Sequence, residues 1–133
     1  MAGGITGVPN WQAEVREKIE PFPYGTLFNP RREVFAGADA EEQIAWEYHW
    51  LHKVDLVLFW FCKEQTQPIA LYELGAHMMR ASMRDRPKLV LGVEPGYTRE
   101  TDVVIQARLK MPNLRVGTTL DYVIETTLDL LKT

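Results

Sequence analysis

Two acidic residues carry the chemical question in this sequence. Glu73 stands in "PIALYELGAHM" (68–78), directly after the apolar run "VDLVLFWF" (54–61), and Glu47 stands in "QIAWEYHW" (43–50). Pro68 suits the first turn of a helix, so Glu73 falls in its second turn, near the positive end that favours an ionised carboxylate. Such a group is ready to act as a nucleophile. Its bland alternative is a solvated acid at a helix start. Glu47 sits at the margin of an aromatic helix surface, a setting that raises a carboxyl pKa and suits proton transfer. Its alternative is a border acid whose stem lies along the helix. A pair of carboxylates, one nucleophile and one proton donor, is what glycosyl transfer through a covalent intermediate requires.

Other polar residues flank these acids. The loop "AGGITG" (2–7) offers backbone N–H groups at Gly3, Gly4, Ile5 and Thr6 that can cradle an oxyanion, because glycine permits close approach. In "FNPRR" (28–32), Asn29, Arg31 and Arg32 suit a sugar or phosphate, or a solvated turn. Gln43 and Trp46 beside Glu47, and Gln67 and Pro68 before Glu73, are further candidates for substrate contact. Trp46, Trp50 and Trp60 suit stacking on a planar base or packing in a core. His49 and His52 have a spacing that metals use, but no nearby carboxylate or cysteine completes a set, so no metal and no cofactor is expected.

The elements that must position these groups follow from hydrophobic period and capping. Asn10 caps a helix with Trp11, Val15 and Ile19 four apart, ending at Pro21. Leu27 and Phe28 suit a short strand closed by the Asn29-Pro30 turn. Asp39 and Glu42 form a capping-box pattern for a helix with Ile44, Tyr48 and Leu51 as its core stripe. The run 54–61 lacks alternation and reads as a central strand covered on both faces. A helix from Pro68 to about Met83 has Leu74, Met78 and Ala81 inward, with Gly75 and Ala76 leaving room for a ligand. "KLVLGV" (88–93) is a second buried strand, followed by the helix "ETDVVIQARLK", the short strand "LRV" and a closing helix with Leu120, Val123, Ile124, Leu128 and Leu131 on one face. This alternation predicts a three-layer α/β domain with a mostly parallel sheet. In such sheets ligands bind beyond the carboxyl ends of the strands, so the loops "AGGITG", "FNPRR" and "KEQTQP" (63–68) should meet at one edge.

Composition sets the outer bounds. A chain of 133 residues makes a single domain, 1–133, with one core. A net charge of −3 removes the electrostatic basis for coating a nucleic acid polymer. No apolar run approaches a membrane span, and neither a signal-peptide pattern nor a disulfide framework is visible, so a cytoplasmic setting is expected, with Cys62 as a buried thiol. Four Trp in so small a domain point to self-association, hence a homo-oligomer.

Taken in order, "AGGITG", "NWQ", "FNPRR", "QIAWE", "DLVLFWF", "PIALYELG" and "GVEPGYTRETDVVIQ" resemble the nucleoside 2-deoxyribosyltransferase-like family, in its branch with WE and ALYELG signatures, from Ala2 to about Gln106. The resemblance implies a flavodoxin-like or Rossmann-like fold and a retaining, two-step transfer. Glu73 matches the glutamate that attacks the anomeric carbon of a 2'-deoxynucleoside, forming a deoxyribosyl ester and releasing the base. Glu47, 26 positions earlier (73 minus 47), matches the acid that handles the base and its proton. The glycine loop matches a segment contacting the sugar, or the 5'-phosphate in related hydrolases. Where many members have an aspartate six positions before the nucleophile, this chain has Gln67, whose amide can still hydrogen-bond a sugar hydroxyl. An apolar strand normally precedes the glycine loop, often with a tyrosine that orients the nucleophile; here only Met1-Ala2 stands there, so either the start is late or the strand is short. Tyr97, Arg99 and Asp102 match a region that approaches a neighbouring subunit's pocket.

The expected activity is exchange of the base of 2'-deoxynucleosides, with a nucleoside or nucleotide and a free nucleobase as small-molecule partners. One alternative is an N-glycoside hydrolase of nucleosides or their 5'-monophosphates; a phosphate preference would engage the glycine loop with Arg31 or Arg32. Another is a non-catalytic nucleotide-binding module.

Overall fold

The computed structural model describes residues 1–31, 39–84 and 86–133. Its elements follow the order β1 (Ala2–Gly3), α1 (Trp11–Ile19), α2 (Ala40–Lys53), β2 (Leu56–Phe61), α3 (Pro68–Met83), β3 (Lys88–Val93), α4 (Glu100–Lys110), β4 (Val116–Gly117) and α5 (Leu120–Leu131). The four strands form one all-parallel sheet in the order β1-β2-β3-β4. This is the three-layer α/β architecture that the alternating pattern predicts, and the flavodoxin-like fold that the family resemblance implies.

The central strand shows why its sequence lacks polar alternation. Val57, Phe59 and Phe61 point to one face and pack with Leu51 of α2, Ala70, Leu74 and Met78 of α3, and Val103 and Ala107 of α4. Leu58, Trp60 and Cys62 point to the other and pack with Trp11, Val15 and Ile19 of α1 and with Val123 and Ile124 of α5. Both faces of a period-two strand are covered, so every position is apolar. Between β3 and α5 the approach is so close that a Cβ at Gly92 would lie 2.3 Å from Val123 Cγ2 and 2.7 Å from the Trp60 ring.

Local signals set the helix starts. Asn10 Oδ1 accepts from Ala13 N, Asp39 Oδ1 accepts from Glu42 N and the Thr119 hydroxyl accepts from Tyr122 N, each satisfying an N–H that the helix leaves unpaired. Helix α3 has no such side-chain cap; Pro68 begins it after Gln67, which adopts the left-handed conformation at φ 56° and ψ 59°. No helix of the described residues is long and apolar enough to cross a membrane.

Two expectations are corrected. Residues 25–29 are irregular, so Leu27 and Phe28 form no strand; the Phe28 ring instead stacks on Trp50, with centroids 4.0 Å apart. On α2 only Leu51 is buried, whereas Ile44 and Tyr48 are 64% and 66% exposed, because α2 meets the core through its C-terminal end alone. The outer side of α3 is apolar too: Tyr72, Met79 and Met83 are all exposed.

Candidate active site

The sheet order places the site. From β1 the chain leaves into α1 on one face of the sheet, and from β2 into α3 on the opposite face. Adjacent parallel strands whose helices depart to opposite sides open a crevice beyond their carboxyl ends. Here that crevice is a cleft of about 510 Å³, within the range of small-ligand sites. One wall is the loop Gly3–Gly7, another the turn of Gln65, Gln67 and Pro68 with Glu73 of α3, and the third Gln43, Ile44 and Glu47 of α2. Nine of the sequence-derived candidates, namely Gly3, Gly4, Ile5, Thr6, Gln43, Glu47, Gln67, Pro68 and Glu73, are thus brought together. Trp46 lies alongside, in a chamber of about 30 Å³ that Glu47 and Glu73 also line with Phe28, Pro30 and Trp50.

Glu73 differs from expectation in its proton affinity. Burial, then the charge of Glu47, raise its pKa to about 7, partly offset by the Met1 amino group. The positive end of α3 does not prevail, because a half-buried carboxylate loses hydration and faces a second acid. One turn on, His77 is buried and its pKa is pushed down to about 4, by burial first and then by Arg80 and His52. Arg80 Nη1 donates to His77 Nδ1 at 2.8 Å and to the Leu51 carbonyl at 3.2 Å, tying α3 to the end of α2. Gln43 presents a different feature. Its Nε2 donates weakly to the Pro30 carbonyl at 3.4 Å, while its buried Oε1 has no partner among the described residues.

The glycine loop is fixed from beneath. Trp11 Nε1 and Gln12 Nε2 both donate to the Gly4 carbonyl, at 3.1 and 3.0 Å. Arg31 reaches under the same loop: its Nη2 donates to Ile5 O at 2.8 Å, to Pro9 O at 3.3 Å and to Val8 O at 3.4 Å, while its Nε donates to Gln12 Oε1 at 3.1 Å. The side chain of Asn29 accepts from Arg31 N at 3.0 Å and shapes that turn. Asn29 and Arg31 therefore support the loop and do not line the cleft, and Arg32 lies outside the described residues. Near Gly7, a Cβ would come within 2.7 Å of the Gln65 amide, which covers the loop from above.

The remaining candidates lie elsewhere. Tyr97 is buried in the core, with its hydroxyl donating to the Thr66 carbonyl, so it props the turn before α3. Arg99 and Asp102 pair at 3.2 Å and border a separate groove with Leu71, Leu74, Gly75 and Met78, on the far side of α3 from the carboxylates. Gly75 opens into that groove, so the room it leaves lies there and not in the cleft that Glu73 lines. Trp60 is a core residue. Sequence reasoning missed Gln12, Gln65 and Gly7; a glutamine within the buried stripe of α1, next to Trp11 and just after a glycine-rich loop, was the available signal for the first.

The family model described as "nucleoside 2-deoxyribosyltransferase like" matches residues 1–97, from β1 through the loop that follows β3. The chain belongs to the nucleoside 2-deoxyribosyltransferase-like family. The match takes in every residue that lines the cleft and stops short of α4, β4 and α5. Membership of this nucleoside 2-deoxyribosyltransferase-like family implies a glycosyltransferase-like enzyme. Among curated proteins none matches the chain.

Proposed function

We propose that the protein exchanges the base of 2'-deoxynucleosides through a deoxyribosyl ester on Glu73. A Glu73 carboxylate oxygen attacks the anomeric carbon as the bond from that carbon to the base nitrogen breaks, and Glu47 gives a proton to the departing base. An incoming base then attacks the same carbon, the ester bond breaks and Glu47 accepts the proton of the new base nitrogen. Two displacements at one carbon retain its configuration.

The observation that carries this reading is the convergence of Glu47 and Glu73, from separate helices, on one cleft floored by the glycine loop. Charge supports an uncharged nucleoside over a 5'-monophosphate. Among the described residues lining the cleft there are two carboxylates and no Lys or Arg, and Arg31 is engaged with loop carbonyls. A phosphate dianion would meet like charge there.

The test is chromatography of 2'-deoxyinosine incubated with and without adenine, using Glu73→Ala as control. Formation of 2'-deoxyadenosine by the intact protein alone supports exchange. Release of hypoxanthine without exchange moves the assignment to an N-glycoside hydrolase. No reaction, together with ligand-induced thermal stabilisation, moves it to a binding module.

A further inference from the structure

The geometry points to Gln67 as the positioning residue of the glycine loop, with both donors and the oxygen of its amide bonded inside the protein and the substrate left to the backbone N–H groups of the loop. Gln67 Oε1 accepts from Gly4 N at 2.7 Å. Its Nε2 donates to the Cys62 carbonyl at 2.7 Å and to the Gln65 carbonyl at 2.9 Å. A primary amide has two N–H donors, and both are used. One side chain thus joins the end of β2, the turn before α3 and the loop after β1, the three segments that meet at the crevice.

Several independent features agree with this role. Gln67 is 7% exposed, so its polar groups cannot be left to water. Its backbone is the one non-glycine position of positive φ among the described residues, at φ 56°. That conformation is strained for a residue with a Cβ and persists where the surroundings over-determine it. Gly or Asn would fit such a backbone with less strain, but neither has the reach of Gln. Gly4 is complementary: a Cβ there would lie 2.8 Å from Cγ, Cδ and Oε1 of Gln67.

The direction of the loop follows. Gly4 O is taken by Trp11 and Gln12, and Ile5 O by Arg31, so these carbonyls face inward. Among the described residues the N–H groups of Ile5 and Thr6 have no protein acceptor, and both residues line the cleft. These are the donors presented to a sugar oxygen. A carboxylate at position 67 would set negative charge against the carbonyls of Cys62 and Gln65, so this loop requires an amide.

The catalytic consequence rests on the exchange reaction proposed above, whereas the positioning role does not. The test is amide hydrogen exchange by NMR on the substrate-free protein, for the wild type, Gln67→Ala and Gln67→Glu. Gly4 N–H is expected to exchange about tenfold faster in both variants, with the amides of the β2–β3 ladder unchanged. An unaltered Gly4 rate, or one that rises only in step with the ladder, overturns the proposal. Should Gln67→Ala fail to fold, Gly4→Ala displaces the same amide from the other side, and faster exchange of the N–H at position 4 is expected, an unaltered rate again being fatal. With 2'-deoxyinosine and adenine, Gln67→Ala and Gly4→Ala should each lower kcat/KM, and the double variant should fall no further than the worse single one. Multiplying losses would mean that Gln67 acts on substrate by itself. A wild type without exchange activity removes the reaction and leaves the Gly4 measurement to decide the positioning role.

Discussion

Glu73 on α3 and Glu47 on α2 line the same cleft, and burial together with the Glu47 charge holds the Glu73 carboxyl at about 7. A nucleophile with that pKa is half protonated near neutrality. The reaction needs Glu73 ionised and one proton kept by the pair for the base, so the acid limb of kcat/KM should lie near pH 7, with activity rising as Glu73 ionises and falling once that last proton is lost. In Glu47→Gln the residual activity should show this limb at lower pH, since one cause of the shift is gone while burial remains. A limb that stays in place on this substitution would remove Glu47 from the electrostatics of Glu73.

The same shift links to stability. The folded state binds the Glu73 proton more tightly than the unfolded chain, so native stability falls as pH rises from 4.5 through about 7. Glu73→Gln abolishes that ionisation. It should be more stable than the wild type at pH 8, by on the order of 1–2 kcal/mol once solvent screening of a half-buried group is allowed for. The difference should vanish below pH 4.5. Urea unfolding at several pH values measures both, and a constant difference across pH would contradict the assignment.

Gly92 tests the packing that supports the crevice. A methyl group there meets Val123 and Trp60 well inside van der Waals contact. Gly92→Ala should destabilise the fold by about 1–3 kcal/mol, read as a lower urea midpoint at unchanged slope. A midpoint equal to that of the wild type would show that β3 and α5 separate easily.

Self-association, expected from the sequence, can be tested on one face. The exposed Ile69 lines the cleft with Glu73, whereas Tyr72, Met79 and Met83 follow one another at spacings of seven and four along the outer side of α3, and all are exposed. This is a helix stripe suited to packing on another helix. Tyr72→Lys should lower the molar mass found by light scattering. A wild type that is monomeric at micromolar concentration would remove this face as an interface.

Much was legible before any coordinates because local rules carry it. Helix α3 begins at Pro68 and ends at Met83, as a proline suited to a first helical turn foretells, and α4 spans Glu100–Lys110, the run "ETDVVIQARLK" read as a helix. The apolar run 54–61 held a central strand because both its faces are covered. The meeting of the glycine loop with the "KEQTQP" turn was also readable, since parallel sheets bring strand ends together, whereas Glu47 was joined to Glu73 by the resemblance to the family.

What the chain alone determined, then, is the order of its elements and the edge at which its loops meet, both of which follow from periodicity and chain connectivity; its two acids were candidates that the family resemblance joined. Tertiary structure decided the rest. Arg31 and Gln67, polar residues in loops, turned out to be joined to loop carbonyls and amides up to 63 positions distant, a pairing that no period encodes. The proton affinity of Glu73 was decided there too, because a helix end favours its charge locally while desolvation and a second carboxylate act only once the cleft has formed.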